Sequence, residues 1–236
     1  MEALNPYRDR SAPSRRGLLI FVCMGVLWGA AFPALLQAEE FTRAERYSAE
    51  LSSRGLFVID TRIGDIRIEG WDEPRVAIEA EKVVQAGSQA KAERLFPQIK
   101  ILLSEESEGL LLRTVYPSRT LLRPFRGATK LSANFRIRVP AGINLRLKCV
   151  DGDVTVRGLR GHEQIRVGYG NVEVSVPSLE RLRSLKANTF LGYVQSDLHG
   201  EDSAGFGRKV SFWNPDGEQN VAVSVRLGGV YIYHVE

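Results

Sequence analysis

The sequence predicts a mainly β fold, a β-solenoid or stack of β-hairpin repeats with one short helix near residues 88–96, behind an N-terminal signal or anchor helix. Three observations lead there. After residue 39, apolar residues alternate with polar ones over most of the chain, which is the two-residue period of a half-buried strand. A glycine followed by a polar or small residue and two strand-forming residues recurs as "GDIRI" at Gly64, "GDVTV" at Gly152, "GNVEV" at Gly170, "GYVQS" at Gly192 and "GGVYI" at Gly228. The step is 18 residues from Gly152 to Gly170 and 22 from Gly170 to Gly192, and self-similarity on that scale marks stacked repeats.

Residues 1–38 stand apart from the rest. Arg8, Arg10, Arg15 and Arg16 precede "GLLIFVCMGVLWGAAFPALL", residues 17–36, a 20-residue run without a charge, and "LQA" ends at Ala38 before two glutamates. A basic region, an apolar run and a small residue in that order read as an export signal cleaved after Ala38. The run is also long enough to span a bilayer, so an uncleaved anchor is the alternative. Either way residues 39–236 are expected outside the cytoplasm, in the periplasm, cell envelope or extracellular space.

The expected domain 39–236 divides into an irregular half, 39–134, and a half of regular repeats, 135–236. In the first, Phe57 and Ile59, Ile66 and Ile68, and Val76, Ile78 and Ala80 give three short strands. "SQAKAERLF", residues 88–96, is the helical stretch, with Ser88 as its cap and Pro97 as its stop. Ile99, Ile101 and Leu103 pair with Leu110 and Leu112 as a hairpin across "SEESEG", and 117–130 is a Pro-containing basic loop. In the second half Phe135, Ile137 and Val139 resume the strand pattern. Leu145, Leu147 and Cys149 point inward before the Gly152 turn and Val154 and Val156 after it, and the later repeats follow suit.

Taking the four arginines and two acidic residues of 1–38 from the 32 basic and 28 acidic residues of the whole chain leaves 28 against 26. That near balance argues against a nucleic-acid partner. Cys149 is the one cysteine after residue 38, so packing alone must hold the fold.

The turns set a choice between chemistry and architecture. Gly64, Asp65, Gly152, Asp153, Gly170, Asn171, Gly192 and Gly228 form the expected corners, because Gly accepts positive φ and Asp or Asn bonds its own nearby backbone. Asp151 and Asp153 could alternatively serve as a calcium-binding or catalytic pair. Neither carboxylate recurs through the repeats, as a metal array would require. The histidines His162, His199 and His234 are scattered, and no serine elbow or phosphate-binding loop occurs. No cofactor, metal or catalytic residue is therefore expected. The candidate contact surface is Trp71, Trp213, Tyr231 and Tyr233, aromatics suited to sugar or protein contact, with Arg119, Arg123 and Arg126 of the basic loop facing anionic polymers or lipid head groups.

"FVIDTRIGDIRIEGWDEPRVAIEAEK", "FRIRVPAGINLRLKCVDGDVTVRG" and the later Gly-centred turns together resemble the bacterial putative-adhesin family of unknown function, built on degenerate Gly-Asp-Val β-repeats, over roughly residues 50–233. The resemblance implies a β-solenoid or stacked-hairpin fold outside the cytoplasmic membrane, with no catalytic residues to carry over. The resulting expectation is an exported, non-enzymatic envelope scaffold or adhesin-like module. Its partner would be an envelope protein or polysaccharide, with membrane association through 17–36. The alternatives are an envelope-stress sensing domain with a membrane partner and a polysaccharide-active β-helix enzyme.

Overall fold

The computed structural model describes residues 39–117, 130–198 and 201–234. Residues 1–38, which hold the expected signal or anchor, and Arg119, Arg123 and Arg126 lie outside them. Among the described residues no helix is long and apolar enough to cross a membrane. Residues 36–236 form a compact unit that holds every described strand and the whole core.

Among the described residues fourteen strands follow in order: β1 (Glu39–Glu50), β2 (Leu56–Ile63), β3 (Ile66–Trp71), β4 (Arg75–Ala86), β5 (Lys100–Glu106), β6 (Gly109–Val115), β7 (Leu131–Pro140), β8 (Asn144–Asp151), β9 (Val154–Arg157), β10 (Glu163–Tyr169), β11 (Val172–Val176), β12 (Leu182–Ser196), β13 (Glu201–Trp213) and β14 (Gln219–His234). Between β4 and β5 lie helix α1 (Gln89–Leu95) and a 3-10 turn, Phe96–Gln98. Ser88 caps α1 by accepting from the Lys91 N–H, as the sequence predicts.

The solenoid expectation is overturned. The strands form a nearly closed, barrel-like sheet along a path of twelve, β1-β4-β7-β3-β9-β11-β14-β10-β8-β2-β6-β5, with β12 and β13 attached beside β14. Two features separate this from a repeat stack. The segments on either side of each glycine do not pair with each other as hairpins. They are the two limbs of a bend, and each limb pairs in parallel with the matching limb of another segment. The stacking also departs from chain order, because the last strand, β14, lies between β10 and β12 on one limb and between β11 and β12 on the other. The 18-residue step survives as a register, Glu163 opposite Leu145 and Val172 opposite Val154. The 22-residue step does not, since Gly192 stands opposite Gly228.

The first limbs (β2, β8, β10 and the start of β14 and β12), extended by the β5–β6 hairpin, make one wall. The second limbs (β3, β9, β11 and the ends of β14 and β12), extended by β7, β4 and β1, make the other. The walls face each other across a single core, which Ala92, Phe96 and Ile99 also join. In-register rows of apolar side chains fill it. One row runs Phe135, Ile66, Val154, Val172, Val230, Val194; another runs Leu112, Ile59, Leu147, Ile165, Val223, Ala187. Each such side chain, removed from water, contributes about 1.5–3 kcal/mol. Cys149 continues the Leu145–Leu147 series and is buried, as expected.

Candidate functional site

At the bend, Gly64, Gly152, Gly170, Gly228 and Gly192 stack in that spatial order, all at positive φ. Close approach adds to the conformational demand. A Cβ on Gly170 would fall 2.3 Å from the Gly152 carbonyl oxygen, and one on Gly228 would fall 1.9 Å from that of Gly170.

The neighbouring Asp and Asn residues do not bond their own backbones, as the sequence reading supposed; each accepts from the next bend. The Asp153 N–H donates to Asp65 Oδ1 (3.0 Å), the Asn171 N–H to Asp153 Oδ1 (2.7 Å), and the Gly229 N–H to Asn171 Oδ1 (2.9 Å). Asn134 opens this ladder by accepting from Asp65, and the Tyr193 ring covers Gly229 at its other end. Asp153 Oδ1 thus accepts from both the backbone N–H and the side-chain amide of Asn171 in the next bend. Among the described residues no three His, Cys, Asp or Glu side chains are placed to hold a metal ion.

At the opposite end of the limbs, the connecting loops enclose an open cleft of about 630 Å³, lined among others by Arg54, Trp71, Asp72, Arg160, His162 and Arg181. Several of its polar groups are engaged with one another or with backbone. The Trp71 indole donates to the Arg75 carbonyl (2.8 Å) and lies under the Arg138 guanidinium (4.7 Å), and Asp72 meets Arg160 at 3.6 Å. His162 Nδ1 accepts from the Asn220 N–H (3.2 Å), which removes that nitrogen as a base.

Behind the cleft is a group the sequence reading passed over. Glu163 occupies an otherwise apolar row, Leu110, Phe57, Leu145, Glu163, Val221, Leu185, and is 2% exposed. Its Oε1 accepts from Gln219 Nε2 (3.1 Å), and its Oε2 has no partner. Burial pushes this carboxyl up to about 8, against the opposing hydrogen bond from Gln219. The alternation Glu163, Ile165, Val167 was the signal that could have found it.

The expected contact residues fall in separate places. Trp71 lines the cleft, and Trp213 ends β13, 67% exposed. Tyr231 and Tyr233 stack on the outer face of the second wall (centroids 6.2 Å apart), with Tyr193 edge-on to Tyr231 (5.0 Å). The outward charges differ between the walls. On the second, opposite charges pair, Arg46 with Glu79 (3.2 Å) and Arg157 with Glu173 (2.7 Å). On the first, Arg166 stands opposite Lys148, and Arg146 lies two residues before Lys148.

Against known proteins, no family model and no curated sequence matches the chain. Among solved structures, a putative cell adhesion protein from Clostridium sporogenes is similar over 83% of this chain and 100% of its own, with a TM-score of 0.50 and 12% identity. The likeness is one of fold. A putative adhesin from Bacteroides fragilis matches 82% of this chain and 97% of its own (TM-score 0.25, 8% identity), and one from Parabacteroides merdae 80% and 81% (TM-score 0.26, 15% identity).

Proposed function

We propose that the chain is a non-catalytic, adhesin-like interaction module of the cell envelope, acting outside the cytoplasm through the outer faces of its sheet. One observation carries this reading. The carboxylate most suggestive of chemistry, Asp153, has its Oδ1 engaged in the ladder that links the bends, while charged side chains are held outward in fixed register on both walls. A rigid surface of that kind supports many weak contacts at once, and binding gains strength by multivalency with little ordering cost. The fold shared with the clostridial cell adhesion protein supports the same reading, as does the signal-like pattern of residues 1–38.

Protease treatment of intact cells and of spheroplasts tests the compartment, and sedimentation with isolated envelopes tests the interaction. Digestion without membrane disruption, together with co-sedimentation, is the expected result. Protection until the cytoplasmic membrane is broken would refute the reading.

A further inference from the structure

We infer that the outer face of the first wall, at its edge along the glycine bend, docks onto an anionic membrane surface. The inference rests on the interaction-module reading and names the chemistry of one partner.

The sheet register places two kinds of side chain together. One outward row carries Asn188, Ser224, Arg166, Lys148 and Asp60 in direct register. Two residues further along the strands, between the paired rows ending at Thr61 and Ile63, lie Phe190, Arg226, Gly168, Val150 and Arg62. Arg62, Arg146, Lys148, Arg166 and Arg226 are all exposed, and none has a carboxylate within 4 Å among the described residues. The lone outward carboxylate in these two rows, Asp60, is taken by Arg113 at 3.5 Å. The second wall pairs Arg46 with Glu79 and Arg157 with Glu173, whereas these five cations of the first wall are in no ion pair among the described residues.

Large apolar side chains rise from the same edge. Phe190 is 54% exposed, Leu191 47% and Phe206 65%, with the two phenylalanine rings edge to face at 4.4 Å, and Tyr169 and Val150 continue the ridge. Between ridge and cations lies a hollow of about 520 Å³ lined among others by Arg166, Phe190, Arg208, Lys209 and Arg226. Exposed aromatics beside unpaired cations fit the boundary between acyl chains and anionic head groups: the rings enter the interface and the guanidinium groups meet the phosphates. A soluble polyanion would satisfy the cations and leave the ridge in water, so the combination favours a lipid surface.

The test is vesicle co-sedimentation of residues 36–236, the unit that contains every described strand and the core. It uses phosphatidylcholine vesicles alone, the same vesicles with phosphatidylglycerol, and dextran sulfate as a soluble polyanion. Binding to the anionic vesicles and not to the neutral ones is expected, weakening as salt rises. The triple variant Lys148→Gln/Arg166→Gln/Arg226→Gln should lower the partition coefficient about a hundredfold, and Phe190→Ser/Phe206→Ser about tenfold. The two sets are independent, so a folding failure in one leaves the other to decide. Three results overturn the inference: no binding to anionic vesicles at low salt, binding that both variant sets retain, or binding to dextran sulfate as strong as to vesicles with no loss in the phenylalanine pair. Each leaves co-sedimentation with envelopes, and hence the broader reading, standing or falling by its own assay.

Discussion

Glu163 makes folding depend on pH between about 4.5 and about 8. Its carboxyl titrates at about 8 when folded and near 4.5 when exposed, because folding buries it in an apolar row with one oxygen unpartnered. The folded chain therefore holds a proton that the unfolded chain has already lost between those values. Stability is full below about pH 4.5, falls as pH rises, and levels off above about 8. At about 1.4 kcal/mol per pH unit, the loss across the window is on the order of 5 kcal/mol. For a domain of this size that corresponds to a melting temperature lower by roughly 10–20 °C. Glu163→Gln keeps the shape and an acceptor for Gln219 while removing the ionisation. Melting followed by circular dichroism from pH 5 to 9 should show the wild type falling and the variant nearly flat, the two meeting at the acid end. Parallel curves would refute the assignment of a buried, protonated carboxyl.

Other consequences are equally specific. Gly170→Ala should cost more than about 3 kcal/mol, combining positive-φ strain with backbone collision, whereas Gly207→Ala, with nothing within 4 Å of its Cβ, should cost no more than about 1–2 kcal/mol in the same melting assay. Asp65→Asn/Asp153→Asn should stay within about 1 kcal/mol of wild type with or without added calcium, since an amide oxygen accepts the same N–H groups; Asp153→Ala should lose about 1–3 kcal/mol. Cys149, whose thiol burial pushes up to about 11, should resist a thiol reagent at pH 8 in the native protein and react only after denaturation.

Alternation made most strands and their inward faces readable, because that pattern is local. The neighbour of each strand is not local. The rows through Val154, Val172 and Val230 would pack against any β-branched partner, so nothing in the pattern discloses that β14 enters between segments 36 and 58 residues away. Strand β1 escaped notice because two of its half-buried positions, Arg43 and Glu45, are charged. Their partners make the strand possible: Arg43 pairs with Glu93 and covers the Phe96 ring, and Glu45 accepts from Lys82 at 2.6 Å. Burial would raise the Glu45 carboxyl, but the Lys82 and Tyr47 hydrogen bonds outweigh it and leave it lowered. At the bend, Gly-Asp and Gly-Asn fall where the backbone takes positive φ. The acceptor role of Asp153 toward Asn171, 18 residues on, depends on the parallel stacking and could not be read from the turn alone. The contact surface was hardest to read, because aromatic identity gives no exposure: Trp71 is held in the cleft, and Phe190 and Phe206, not singled out by the sequence, stand exposed.

Under the proposed function, outward side chains and not the carboxylate corner make the binding contacts. Binding of the wild type to isolated envelopes, compared with Asp65→Asn/Asp153→Asn and with Arg146→Gln/Lys148→Gln/Arg166→Gln, tests it most directly. The corner variant should bind like wild type, and the outward variant should lose binding while melting at the wild-type temperature. Loss of binding in the corner variant, with the outward variant unaffected, would contradict it.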